Sequence, residues 1–358
     1  MTTPFQRKKW LREQFNIVPE QDYACDFPTV LPNQSLSPID LSSEIDIVIT
    51  WVDRNDPTWR KRYETTMGEP PGQARYENND ELELCLKSVC AYMPWIRHIY
   101  VVTECELPSY AKEISKVKAI HQDEIMDPNV AALPSFNSNA VESFFHRIPN
   151  LSEVFIFGND DFMVGQPISK AYWFSDNLPR CSLRLYQPSP PIKDFWWYTF
   201  NVAKIIGDKL GTYPGLDHHL FVHTHQFSIL RKSSLEKAWE MFADELSLMC
   251  QSRNRQPHQT QVTSHLFAQL VGAYTGTIKI EPEIRNDGLF DPGKYLGNNH
   301  PAFATPLWFS DTLHSTPDFY CVNQLSTPED QQHFRDFKNL MLQKIEAFRS
   351  STTISEDE

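Results

Sequence analysis

Four short strand-like stretches, at 45–52 (IDIVITWV), 99–103, 117–120 and 154–157, all but the third apolar runs rich in β-branched or aromatic residues, alternate with segments of helical spacing. This alternation constrains the fold more than any other feature. Consecutive apolar positions suit strands buried on both faces, as parallel strands are. Leu82, Leu86, Val89 and Ala91 place a helix over 79–93 that Pro94 stops, and further helices are predicted over 108–114 and 137–148. Strand and helix in turn, with short connections, predict an α/β fold built on a doubly wound, mostly parallel sheet.

The fourth run ends at Gly158 and leads straight into Asn159, Asp160 and Asp161. In open α/β sheets, ligands bind at the carboxyl ends of the strands. Two adjacent acids there repel each other unless a cation, a proton or an arginine compensates, and a hard divalent metal holding phosphate oxygens fits that need. A solvated Asn-Asp-Asp turn uses the same residue types, so the motif alone leaves both readings open.

The chain has 358 residues, 41% of them hydrophobic and 13% aromatic, which is ample core material for one main domain with an elaborated second half. With 26 prolines against 12 glycines, fixed loops are expected rather than floppy linkers. A formal charge of −13 argues against a general nucleic-acid surface and against tight docking on anionic lipid. The seven cysteines, at 25, 85, 90, 105, 181, 250 and 321, form no CxxC pair and read as reduced, mostly buried thiols of a cytoplasmic protein. No apolar run reaches the ~20 residues of a membrane span, and the start, MTTPFQRKKWLREQF, lacks the apolar core of a signal peptide.

Three units are expected: an arm over 1–43 with a short basic amphipathic helix, a catalytic domain over 44–349, and a disordered acidic tail over 350–358. From about 167 the domain should become helical. Residues 167–199, crowded with Trp and Pro, read as loops over the sheet, and 233–248 as one helix opened by a capping box of Ser233 and Glu236. Further helices are predicted over 263–274 and 328–348, with a small strand at 277–280.

Four segments together resemble a known family. IDIVITWVDRNDPTW, RYENNDELELCLKSVCAYMPWIRHIYVVTE, HQDEI and LPSFNSNAVESFFHRIPNLSEVFIFGNDDFMVG look like the first two conserved blocks of the Stealth proteins, in the family's order over residues 45–165. HQFSILRKSSLEKAWEMF from His225 resembles the third block, and YCVNQ the fourth, so the likeness covers most of 45–330. The resemblance implies a GT-A-like sheet of Rossmann type. It also implies transfer of a hexose 1-phosphate, commonly N-acetylglucosamine 1-phosphate, from a UDP-sugar to a hydroxyl of an oligo- or polysaccharide acceptor. UMP leaves and a phosphodiester is made, as in capsule polysaccharide synthesis. Mg²⁺ or Mn²⁺ is the implied cofactor, and peripheral association with capsule export machinery at the inner face of the membrane is the implied setting.

Carried over residue by residue, Asp160 and Asp161 would hold the metal, with Asn323 or Gln324 as a neutral neighbour. His225 is the candidate general base, since an imidazole of unperturbed pKa ~6.5 is largely neutral at cytoplasmic pH. It sits in a cluster with His218, His219 and His223 that could equally be a metal-binding tract or a polar loop. Arg255 would clamp a phosphate, or else be part of a solvated basic turn with Arg253. Trp51 and Asp53, following the first strand, are placed to meet uridine or ribose, whereas Asp56 reads as a helix cap. Arg75, Asn79, Asn137, Ser138, Glu142 and Arg147 match family positions and are expected to bind substrate, Ser138, Glu142 and His146 sharing one helix face that could instead be a structural network.

Two departures stand out. Asn78 occupies a position where the family often has Asp, and Gln324 replaces the usual Asp of the fourth block. They keep two rival readings in play: a metal-dependent glycosyltransferase that releases UDP, and a carbohydrate-binding or assembly protein without turnover.

Overall fold

The computed structural model describes residues 39–72, 76, 78–186, 194–211, 214–216, 219–223, 226–255, 261–283, 295–297, 318–322 and 328–353. The expected amphipathic helix of the arm, together with Arg75, His218, His225, Asn323 and Gln324, lies outside them.

Strands β1 (Asp46–Thr50), β2 (Ile99–Val102), β3 (Val117–Ile120) and β4 (Val154–Asn159) form a parallel sheet in the order β4-β1-β2-β3. All four fall on the predicted runs. A fifth strand, β8 (Ser228–Arg231), adds antiparallel to the free edge of β4, so the sheet is mostly parallel as expected. Alternate residues feed two cores. Ile47, Ile49, Ile99, Val101, Val154 and Ile156 face one side, and Val48, Tyr100, Val102, Phe155 and Phe157 the other. Burial on both faces is what makes β1, β2 and β4 read as apolar runs, while the edge strand β3 is half exposed and carries Lys118.

The first face is covered by α1 (Pro57–Met67) and α2 (Glu81–Tyr92), with the terminal helix α8 (Pro328–Thr353) packed behind α2. Asp56 caps α1, its carboxylate accepting from the Trp59 backbone N–H at 2.8 Å. The second face is covered by α5 (Lys232–Met241), α6 (Ala243–Cys250) and α7 (Ser264–Tyr274).

Several expectations need correction. The helix over 137–148 breaks into α3 (Ser138–Glu142) and a 3₁₀ turn, Phe145–Arg147, so His146 does not continue the face that carries Ser138 and Glu142. The Ser143 carbonyl, which an unbroken helix would give to the Arg147 N–H, instead accepts the Trp239 indole N–H at 2.7 Å. The helix over 233–248 is two helices parted at the fully buried Phe242, whose ring packs edge-on against Phe267. Its capping box is absent, since Ser233 donates to the Glu153 carboxylate and the helix begins a residue earlier.

Residues 167–199 are not merely loops. They contain β6 (Leu178–Tyr186) and the start of α4 (Asp194–Leu210). β6 pairs with β7 (His219–Val222) and β9 (Lys279–Glu283) in a second sheet that was not foreseen. A third small sheet joins β5 (Phe162–Val164), β10 (Phe319–Cys321) and a strand at Tyr295–Gly297. The tail is helical as far as Thr353 rather than disordered from 350. Among the described residues, the six cysteines form no disulfide. Among the described residues, no helix is long and apolar enough to cross a membrane.

Candidate active site

Asp160 and Asp161 form the turn between β4, in the central sheet, and β5, in the small one. The sequence forces this placement. Gly158 lets Phe227 press against the end of β4, and Thr50 Oγ1 on the neighbouring β1 donates to Asn159 Oδ1 at 2.8 Å, which fixes the strand end. On the far side of the turn the Val322 N–H donates to the Asp161 carbonyl at 2.9 Å and the Cys321 thiol approaches Asp161 Oδ2 at 3.8 Å. The fourth-block residues are thereby stitched to the acid pair.

A third acid joins them from the first turn of α2. Glu81 is buried and accepts from the Asn79 backbone N–H at 2.6 Å and from its side-chain amide at 2.9 Å. Burial raises the carboxyl groups of all three above the ordinary range; the neighbouring acids add to the rise at Asp160 and Asp161, and Asp161 is pushed up to about 7. Among the described residues, no lysine or arginine pairs with Asp160, Asp161 or Glu81, and Asp161 Oδ1 is a buried acceptor without a partner. A buried orphan oxygen beside uncompensated acids fits a hard divalent cation. The Tyr110 hydroxyl, buried without a hydrogen bond, has its pKa raised by burial and then by Asp80, Glu83, Asp160 and Glu81.

At the end of β1, Trp51 is buried with its indole N–H unpaired, and Asp53 accepts from the Asn78 amide at 2.9 Å and from the Asn55 N–H at 2.8 Å. Farther along the same sheet edge, Glu104, His121 and Asp123 could also converge on an ion. Arg62 already lies 2.5 Å from Glu104 and 3.3 Å from Asp123, and His121 3.1 Å from Glu104. That cluster carries its own counter-charge, so the acid turn at Asp160 is the better cation site.

The remaining substrate-binding candidates divide. Asn137 is fully buried and donates to Gln261 Oε1 at 2.9 Å and to the Ser252 carbonyl at 3.3 Å, so it serves as a brace for the segment bearing Arg255. That segment runs beside Phe136, whose N–H donates to the Arg253 carbonyl, and the Arg255 guanidinium lies 4.8 Å from the centre of the Tyr198 ring. Ser138 is half-buried at the start of α3. Arg147 is exposed and 3.5 Å from Asp127, and Glu142 is turned inward onto His265, its carboxylate 3.1 Å from Nδ1.

Sequence reasoning missed Glu81, Tyr110 and His265. The first could be mistaken for an ordinary acid in a helix's first turn. His265 did leave a signal, a lone imidazole at the start of the otherwise apolar helix SHLFAQLVGAY.

A mostly parallel α/β sheet with half-buried carboxylates at the carboxyl ends of its strands is the arrangement of an α/β protein whose ligand site lies at that edge. Residues 43–69 match Stealth protein conserved region 1, and residues 75–181 match conserved region 2. The chain is 30% identical over 309 residues, 81% of each chain, to the capsular polysaccharide phosphotransferase LcbA of Aeromonas hydrophila. It is 31% identical over 243 residues to the LcbA of Neisseria meningitidis, where the match spans 64% of each chain. Among solved structures, a galactosyltransferase LgtC complex with donor and acceptor sugar analogs is similar over 83% of this chain and 95% of that one, at 14% identity and a TM-score of 0.39. The chain belongs to the Stealth family of capsular polysaccharide phosphotransferases.

Proposed function

We propose that the protein transfers a hexose 1-phosphate, N-acetylglucosamine 1-phosphate being the first candidate, from a UDP-sugar to a saccharide hydroxyl in capsule polysaccharide synthesis, releasing UMP. The observation that carries this reading is the Asp160, Asp161 and Glu81 cluster, with its unpaired Asp161 oxygen, on the sheet edge where nucleotides bind. Asp160 and Asp161, with Asn323 from the adjoining fourth block, would hold Mg²⁺ or Mn²⁺. When bound, the cation neutralises charge on the diphosphate oxygens.

The protein's own residues supply the rest. The unpaired Trp51 N–H and the Asp53 carboxylate at the end of β1 orient the nucleoside. Arg255, near the Asn137 bond to the Ser252 carbonyl, neutralises a phosphate with its planar fork. His225 takes the acceptor's proton as its oxygen attacks the sugar-proximal phosphorus. Holding acceptor and phosphorus in line is the larger part of such catalysis. Work at the inner face of the cytoplasmic membrane, beside the export machinery, belongs to the same reading.

The test is product analysis. UDP-N-acetylglucosamine and other UDP-sugars are incubated with capsule oligosaccharides and a divalent metal, and the nucleotide released is identified. UMP together with a new phosphodiester supports the proposal. UDP would instead make the protein a glycosyltransferase, and no turnover with any donor would leave a binding protein.

A further inference from the structure

The terminal helix α8 lies outside both conserved regions matched above, yet it reaches the supports of the acid turn. Lys338 makes the contact. Its ammonium, on a side chain only 13% exposed, lies 2.6 Å from Glu83 Oε2 and 3.8 Å from Asp80 Oδ2. Both acids belong to the start of α2, and Glu81 stands between them. Next to Lys338, the Phe337 ring packs against Tyr320 on β10, 5.0 Å between centroids.

The start of α2 needs such a hold. Asp80 enters the helix in the left-handed conformation, φ 63°, and its side chain makes no capping bond. Outside glycine such a backbone is costly and persists only where its surroundings fix it. Within the turn, the Asp80 N–H donates to Asn78 Oδ1 at 2.9 Å, and Asn79 donates twice to Glu81. Lys338 ties that turn to a distant part of the chain. From there α2 reaches both sides of the acid turn. The Cys85 thiol approaches the Asn159 carbonyl, just before Asp160, at 3.9 Å, and Ser88 Oγ accepts from the Val164 N–H, on β5 beyond the turn, at 3.0 Å.

We propose that Lys338 is a positioning residue for the cation site at Asp160 and Asp161. By gripping Glu83 and Asp80 it seats the first turn of α2, and the helix passes that seating on through Glu81, Cys85 and Ser88 as a rigid element. The terminal helix is thereby part of the site's scaffold. The inference rests on the reading above that the acid turn holds a divalent cation.

The experiment titrates the full-length protein with Mn²⁺ alone, by calorimetry. Charge by itself would make Lys338→Met bind the cation more tightly, since a nearby positive charge is lost. Positioning predicts the opposite sign: affinity weaker on the order of tenfold, with Lys338→Arg close to wild type. Phe348→Leu is the control. Phe348 packs on Tyr92 at the far end of α2, 5.2 Å between ring centroids, so its loss should lower stability and leave Mn²⁺ affinity unchanged. In metal-free protein, the amides of Val164 and Val322, which donate to Ser88 Oγ and to the Asp161 carbonyl, should exchange hydrogen faster relative to those of β2 in Lys338→Met but not in Phe348→Leu.

Equal or tighter Mn²⁺ binding by a folded Lys338→Met protein, equal weakening in Phe348→Leu, or unchanged relative exchange at both amides would each overturn the proposal, as would a wild-type protein that binds no Mn²⁺. If Lys338→Met does not fold, Lys338→Gln takes its place with the same expected sign. If UDP rather than UMP is released, the reaction assignment fails, while Mn²⁺ affinity and amide exchange report separately on Lys338.

Discussion

Asn78 donates its side-chain amide to Asp53 at 2.9 Å, joining the loop before α2 to the end of β1. An aspartate at 78 would set two carboxylates against each other, whereas asparagine leaves Asp53 acting as acceptor. The departure from the family pattern is thus matched by its partner and is no sign of lost activity. Asn78→Ala should cost about 0.5–1.5 kcal/mol of stability, measured by urea unfolding. It should also raise the KM for the UDP-sugar, because Asp53 Oδ2 loses its partner and the carboxylate is held only through Oδ1 by the Asn55 N–H. An unchanged KM would separate Asp53 from nucleoside binding.

The acid turn predicts how pH and metal act together. Burial, then the charge of neighbouring acids (Asp161 and Glu81 on Asp160, Glu81 on Asp161), holds Asp160 and Asp161 above the ordinary carboxylate range, Asp161 at about 7. Between the unfolded value of ~4 and that higher value the folded state binds more protons than the unfolded one, so metal-free stability should fall as pH rises through this window. A divalent cation offsets the loss. Added Mg²⁺ or Mn²⁺ should raise Tm more at pH 8 than at pH 5, and Asp161→Asn should raise the metal-free Tm at pH 8 while abolishing the metal-dependent gain. Equal metal shifts at both pH values would place the cation elsewhere.

At the opposite end of β1 the sign reverses. Asp46 is fully buried, which by itself would raise its pKa, but hydrogen bonds from Arg97 and Ser152 outweigh burial and hold it below the usual range. Arg97 grips it with two bonds, Nε to Oδ1 at 2.9 Å and Nη2 to Oδ2 at 2.6 Å. Stability from this pair is present above the unfolded value of ~4 and is lost as pH falls through the lower folded value. Arg97→Ala should cost about 3–5 kcal/mol, because it strands a buried charge. Since the pair lies away from the strands' carboxyl ends, kcat of the folded fraction should be unchanged.

How much of this was legible in the chain depended on what hid each element. β1, β2 and β4 are buried on both faces, so their central residues had to be apolar and could be read directly, whereas the edge strand β3, VKAI, is half exposed and was legible only from its place in the alternation. β6, LPRCSLRLY, carries Pro179, Arg180 and Arg184 and sits among tryptophans and prolines, which masked its alternation. The break after Glu142 depends on Trp239, 96 residues away, capturing the Ser143 carbonyl, and no local pattern announces such an event. The site followed the same logic. Asp160 and Asp161 were visible because they follow a strand, whereas Glu81 and His265 gained meaning only when helices brought them to Asp161 and Glu142.

Gly158 offers a sharper test of how the sheet aims the acid turn. A Cβ at this position would lie 2.5 Å from the Phe227 ring, which packs edge-on against Phe162 and Phe319 in a filled core. Gly158→Ala must therefore displace that ring or the end of β4, at a cost of about 1–3 kcal/mol. Either movement is transmitted to Asp160 two residues later. Activity should fall further than the stability loss explains, with the apparent metal affinity weakened, and Phe227→Leu in the same protein should recover part of both by making room. A Gly158→Ala enzyme with wild-type metal affinity would mean that the turn is held by β5 and the fourth block, independently of the strand before it.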